Sequence, residues 1–335
     1  MKLMNRSRRV LLALTGAAGW AALASSSAWA QAPAWPQAGK PVRIVVPFPP
    51  GSGSDVNARQ VAKGLQDLLG GHPVIVDNKP GAGTFIGAQD VARAAADGHT
   101  LLYTIVITHT QNPHLYTKLP YDPFKDFTPL TQVMKSATVL IAHPAAPFNN
   151  LRELVAYAKA NPGKLNYASF SPGSTSHLNG ELLSQRTGIQ MTHIPYKGTA
   201  DASRALVAGD VQIYFDGTSS AVNLIKAGRA KGLGTATPKR VPVLPDMPTL
   251  TEAGVQGIDI VGWQGLFGPG NMNPELAARI SGLLRQAVTA PEMLKAIDQQ
   301  GNEPSGASGA EFAAIVKSDH DRWGEVIRAA KIKLD

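Results

Sequence analysis

Phe48-Pro49-Pro50-Gly51-Ser52-Gly53-Ser54-Asp55 follows a short apolar run, Val42 to Val46, and precedes a stretch with helical spacing. In the second half of the chain the pattern returns as Phe170-Ser171-Pro172-Gly173-Ser174-Thr175-Ser176-His177, behind the run Leu165 to Ala168. Both copies read F-x-P-G-S-x-S followed by a polar residue. A strand that enters a Gly/Ser turn and then a helix points free backbone N–H groups and the positive end of the helix dipole at one spot, where anions bind. A single turn of this kind with a Ser cap is common in α/β proteins. Its recurrence in both halves predicts a small anion held between two similar domains.

Strand and helix patterns alternate on both sides of these loops. Val42–Val46, Val74–Asp77 and Thr100–Ile107 are β-branched-rich runs. Between them, Val56, Val61, Leu65, Leu68 and Leu69 fall near helical spacing, as Ile86, Val91 and Ala94 do more weakly. This succession predicts a parallel, doubly wound sheet. A further strand at Thr138–Ala142 is followed by a second alternation, from helix Leu151–Ala160 to strand Gly232–Ala236. After a Pro-rich loop, Ile258–Phe267 is extended, and three helices follow at Pro274–Thr289, Pro291–Gln299 and Ala310–Lys331. Pro274 and Pro291 suit first-turn positions, where the missing N–H costs nothing. If these helices return to the first lobe, segments near Thr131–Ala142 and Ile258–Phe267 cross between two lobes, the layout of a hinged receptor. The expected division is residues 1–30 as a leader, 31–135 with 264–335 as one lobe, and 136–263 as the other.

The leader reading rests on Lys2, Arg6, Arg8 and Arg9, an apolar run from Val10 to Ala24, and Ala28-Trp29-Ala30. That is a secretory signal peptide cleaved after Ala30. Arg8-Arg9 also fits a twin-arginine signal, but arginine pairs are common in Sec leaders, and Sec export is favoured. The formal net charge of +8 falls to +4 without those four basic residues. What remains is scattered, without a basic run or interleaved aromatics, so nucleic acid is not expected as a partner. The chain has no cysteine, which excludes disulfides and thiolate metal sites.

Catalytic signatures are missing. No G-x-S-x-G or H-E-x-x-H occurs. Ser174 or Ser176 beside His177 suggests a nucleophile and base, yet neighbours at a helix start seldom face each other, and no orienting third residue is evident. His109 and His114 have poor metal-ligand spacing. His193 reads as a strand-end or core histidine. Asp216 sits past a strand end, where α/β ligands bind, or caps the next helix. Gly81-Ala82-Gly83-Thr84-Phe85-Ile86-Gly87 follows the second strand, whereas a dinucleotide fingerprint belongs to the first βα turn. No cofactor, metal or catalytic residue is expected.

The ordered motifs resemble the Bug-type substrate-binding receptors of tripartite tricarboxylate transporters. Ile44-Val45-Val46-Pro47-Phe48-Pro49-Pro50-Gly51 with Asp55 resembles the family's opening motif, and Asn78-Lys79-Pro80-Gly81-Ala82-Gly83 its second loop. Asn112-Pro113-His114-Leu115-Tyr116, His193-Ile194-Pro195-Tyr196-Lys197-Gly198, Phe215-Asp216 and Leu244-Pro245-Asp246-Met247-Pro248-Thr249 continue the resemblance, which spans essentially the whole mature chain. It implies a two-lobed type II periplasmic binding-protein fold, each lobe a mostly parallel sheet flanked by helices, with two crossover strands at the hinge. It also implies a monomer without enzymatic activity, free in the periplasm. Such a receptor presents a small organic carboxylate to membrane permease subunits. The solute could be a mono-, di- or tricarboxylate, an aromatic carboxylate or an acidic amino acid. The implied ligand residues are Phe48, Pro49, Ser52, Gly53, Ser54 and Asp55 in the first loop and Ser171, Gly173, Ser174, Thr175, Ser176 and His177 in the other. Gly83, Thr84, Tyr196 and Asp216 would line the rest. Ser52 and Thr84 stand where the family often has glycine, so ligand identity does not follow from the resemblance. A sensory receptor docking on a sensor kinase, or a periplasmic hydrolase, are the competing readings.

Overall fold

The computed structural model describes residues 35–335; the leader lies outside the described residues. The chain opens with β1 (Val42–Val46), α1 (Gly53–Leu68), β2 (Val74–Asn78), α2 (Phe85–Ala92) and β3 (Thr100–Ile105). Val42, Ile44, Val45 and Val46 are all buried, as expected of a parallel strand covered on both faces. In α1 the core face is Ala58, Val61, Ala62 and Leu65. Val56 and Leu68, expected on that face, are instead exposed, because at the helical period Val56 falls opposite Ala58, Val61, Ala62 and Leu65 and Leu68 falls at the edge of their face.

After β3 the chain makes a π-helical turn (Ile107–Gln111) and a short helix, α3 (Asn112–Leu115), before β4 (Phe127–Ser136). Only Ala137 separates β4 from β5 (Thr138–Ala142), which belongs to a different sheet. The second set continues with α4 (Leu151–Ala160), β6 (Leu165–Ser169), α5 (Thr175–Thr187) and β7 (Met191–Pro195). It ends with α6 (Thr199–Ala208), β8 (Ile213–Gly217), α7 (Thr218–Lys226) and β9 (Lys231–Thr235). The return passes through β10 (Gly262–Pro269) to α8 (Pro274–Val288), α9 (Pro291–Gln299), β11 (Glu303–Ser308) and α10 (Gly309–Ala330).

Two sheets result, ordered β11-β4-β10-β3-β1-β2 and β7-β6-β8-β5-β9. Strands joined by βα units are parallel: β1 with β2 and β3, and β6 with β7 and β8. The strands that carry the chain between sheets run against them. β10 is antiparallel to β3 and β4, and β5 is antiparallel to β8 and β9. Both sheets are therefore mixed, flanked by helices on both faces. One face of the first sheet buries Val61 and Leu65 of α1 with Ile280, Leu284 and Val288 of α8. The other buries Phe312, Val316, Trp323 and Ile327 of α10 against Leu102, Trp263 and Phe267.

Strand β11 was not anticipated. Its sequence, Glu303-Pro304-Ser305-Gly306-Ala307-Ser308, has little β propensity. It survives as an edge strand on β4, where proline is tolerated and a register irregularity falls between Pro304 and Ala307.

Candidate ligand-binding cleft

The repeated motif folds the same way twice. Gly51 and Gly173 both have positive φ, +79° and +71°, a conformation that glycine adopts without steric cost. Ser52 and Ser174 then take extended backbone angles and cap α1 and α5, accepting from the N–H groups of Asp55 and His177. The eighth residue of the motif answers in turn. Gly51 N–H donates to Asp55 Oδ2 at 2.8 Å, and Gly173 N–H donates to His177 Nδ1 at 2.9 Å. Asp and His share the one property this position needs, an acceptor that reaches back four residues. Both loops follow the C-terminal end of a parallel strand, where α/β folds bind ligands.

The first loop is held from below by the second strand. Asn78 Nδ2 donates to Phe48 O at 3.1 Å and to Asp55 Oδ1 at 2.9 Å. Arg59 Nη2 pairs with Asp55 Oδ1 at 2.9 Å. Burial pushes the Asp55 carboxyl up, but hydrogen bonds from Arg59, Gly51 and Asn78 outweigh it and hold the group below the usual aspartate range. Asp55 is only 3% exposed. Its charge is spent on the loop, while Phe48, Ser52 and Ser54 are half-buried and Pro49 and Gly53 exposed.

Backbone bonds from Tyr196 N–H to Ser169 O and from Gly198 N–H to Phe170 O, both 2.9 Å, pin the second loop. Ser171 is half-buried, and Gly173 to His177 are all buried. His177 stacks face to face on His193, with ring centroids 3.8 Å apart and planes 7° from parallel. Burial pushes both imidazoles down to about 4, with the neighbouring His177 adding to the effect at His193. His177 is thus neutral at pH 7, with its proton on Nε2 because Nδ1 accepts from Gly173. Neither Ser174 nor Ser176 pairs with the His177 ring as nucleophile and base; the Ser–His contact here is Ser169 Oγ with His193 Nε2, at 2.7 Å. Ser174 Oγ donates to Ser171 O at 2.7 Å, and His177 Nδ1 is occupied by Gly173 N–H.

The turn after β2 carries the third group of candidate residues. Gly83 and Thr84 have φ of +61° and +83°, the latter strained for a β-branched residue. Thr84 is buried, accepting from Thr108 Oγ1 at 2.9 Å, while Asn112 Nδ2 donates to Gly83 O at 2.7 Å. Tyr196 is half-buried beside the second loop. Asp216 is wholly buried; its carboxylate accepts from Gly217 N–H at 2.8 Å and Ser203 Oγ at 3.1 Å. It anchors the start of α7. Burial outweighs these bonds and pushes it up to about 6. His109 is a core ring stacked 3.9 Å from Phe267, and burial pushes it down to about 3.

These groups give opposite pH responses. The unfolded chain binds more protons than folded His177 and His193 between their ordinary 6.5 and about 4, so their contribution is full above that window and is lost on acidification. Folded Asp216 binds more than the unfolded chain between 3.8 and about 6, so its contribution is full at low pH and is lost as pH rises. Asp216→Asn is therefore expected to gain about 2–3 kcal/mol more than the wild type between pH 4 and pH 7. Urea unfolding at both pH values measures this; identical gains in the two proteins would contradict it.

Chemically, the site offers backbone N–H groups and hydroxyls at two helix starts, with no lysine or arginine in either loop. That suits a carboxylate held by hydrogen bonds and bridging water. Residues 57–332 match the family described as "Tripartite tricarboxylate transporter family receptor". The chain belongs to this family. BugT of Bordetella pertussis is 32% identical over 336 residues, covering 99% of this chain and 100% of that protein. The R. palustris protein Rpa4515, solved with adipate, has a TM-score of 0.83 at 31% identity, covering 90% of this chain and 100% of its own. MatC (Rpa3494) of Rhodopseudomonas palustris, solved with bound malate, has a TM-score of 0.78 at 31% identity over 87% of this chain and 100% of its own. The family is one of solute-binding, non-enzymatic receptors, and the fold is that of the periplasmic binding protein BugD, with a TM-score of 0.79 at 33% identity over 88% of this chain and 99% of that one.

Sequence reasoning missed one residue. Gln111, at the end of the π-helical turn, donates through Nε2 to Thr175 Oγ1 at 3.0 Å. The polar run Thr108-His109-Thr110-Gln111 reads as a loop, and only its complete burial in the fold marks it out. Among the described residues no hydrogen bond runs directly from the first loop to the second; Gln111 links the π-helical turn to the second loop.

Proposed function

We propose that this protein is an exported, monomeric receptor that captures a small organic carboxylate between two lobes and delivers it to the permease of a tripartite tricarboxylate-type transporter. Residues 31–135 with 264–335 and residues 136–263 would move as two bodies about Ala137 and the chain leading into β10. Closure is then a population shift, driven by contacts that the solute makes with both lobes at once. The observation that carries this reading is the duplicated loop: two helix starts, each with a left-handed glycine, a Ser cap and a locked backbone N–H. Neither alone distinguishes a ligand site from an ordinary helix cap. Their pairing in a family whose members include adipate- and malate-bound structures supports a carboxylate. Phe48, Pro49, Ser52, Gly53 and Ser54 would face it from one lobe, and Ser171 to Ser176 with Tyr196 from the other.

A thermal-shift screen across mono-, di- and tricarboxylates, aromatic carboxylates and acidic amino acids tests the reading. A solute present at ~100 times its dissociation constant adds about 2.7 kcal/mol of stability, an unmistakable rise in the midpoint. A flat response to every class would contradict it.

A further inference from the structure

Gln111 and Asn112 are consecutive, yet they hold two different walls of the cleft. Asn112 binds Gly83 O within the first lobe, and Gln111 reaches Thr175 of the second. Thr175 is the first residue of α5, beside the capped turn at Ser174. One turn further along the helix, Leu178 packs in one cluster with Leu115 and Trp323 of the first lobe. The start of α5 is therefore docked on the first lobe. Gln111 is fully buried there, and its Oε1 has no hydrogen-bond partner within the described residues.

A threonine hydroxyl has one proton and two acceptor lone pairs. Because Gln111 Nε2 donates to Thr175 Oγ1, the Thr175 proton remains free to be donated elsewhere. We propose that Gln111 is a positioning residue, which fixes the Thr175 hydroxyl as a donor to the solute carboxylate and ties the lobes together when they close. The inference rests on the carboxylate reading above.

Calorimetry with succinate, malate, adipate and citrate tests this, following the tightest binder. Thr175→Ser keeps the hydroxyl and is expected to bind within ~3-fold of the wild type, whereas Thr175→Val and Gln111→Leu each lose ~10-fold. The double variant is expected to lose no more than either single one, because the two residues act through one hydrogen bond. Gln111→Glu has the same shape but presents acceptors only. It takes the Thr175 proton and sets a negative charge near the solute, so it is expected to lose ~100-fold or more. Unfolding of unliganded Gln111→Leu should show no loss of stability, which separates positioning from a merely structural role. Wild-type affinity in Gln111→Leu or Gln111→Glu, or additive losses in the double variant, would overturn the inference alone. If the wild type binds none of the four, the same variants are compared with the carboxylate of largest thermal shift, and a wild type that binds no carboxylate of any class would overturn the carboxylate reading and this inference with it.

Discussion

Gly173→Ala should cost the protein about 2–5 kcal/mol and abolish solute binding, whereas Gly51→Ala should cost about 1–2 kcal/mol. The two glycines share a motif, a conformation and a hydrogen bond, so the backbone strain of an L residue at positive φ is common to both. Their surroundings differ. A Cβ at Gly51 meets nothing within 4 Å, but one at Gly173 would lie 2.5 Å from Leu115 Cδ1 and 2.8 Å from Leu334 Cδ1. Those leucines pack directly behind the second loop, so the added methyl group pushes the loop off them. Urea unfolding of the two variants, with calorimetry alongside, reads both effects. Equal losses at the two glycines would show that the second loop is not packed as described.

Asp55→Ala is expected to destabilise by about 2–4 kcal/mol at pH 7, since hydrogen bonds to a charged acceptor contribute about 1.5–3 kcal/mol each. The carboxylate is lost from Gly51 N–H, Asn78 and Arg59 together. Arg59 is half exposed and returns to water, so the penalty comes from the part-buried bonds to Gly51 N–H and Asn78. Because the folded Asp55 titrates below its ordinary 3.8, its contribution is present above that pH and is lost as pH falls through the folded value. The difference between wild type and variant should therefore shrink in acid. His177→Asp is expected not to reproduce the first loop's anchor. Its carboxylate would be buried against His193 with no counterpart of Arg59 or Asn78, and burying an unpaired charge is costly. Comparable stability of Asp55→Ala and wild type at pH 7 would contradict this account of the loop.

Much of the architecture is legible in the sequence because its strands are buried on both faces and its helices begin with recognisable caps. Val42–Val46 and the capped turn at Ser52 illustrate both. The equivalence of Asp55 and His177 was present in the motif as its eighth position, but it needs the fold to show that both side chains turn back to a glycine N–H. Two features were not legible. Glu303–Ser308 carries no strand signal of its own and is a strand only because the edge of β4 accepts it. The π-helical turn is polar yet fully buried, because Thr104, Thr108, Thr84 and Asn112 satisfy one another across distant segments. Gln111 meets Thr175 only through the tertiary fold, and no local pattern reports such a pair.

The central claim is that the two copies of F-x-P-G-S-x-S are two halves of one carboxylate clamp. A cocrystal structure with the carboxylate that gives the largest thermal shift tests it most directly. The account predicts one carboxylate group lying between the starts of α1 and α5, within hydrogen-bond distance, directly or through one water, of the loop at Phe48–Asp55 and the loop at Ser171–His177. A carboxylate bound to one loop alone, or seated elsewhere in the molecule, would contradict it.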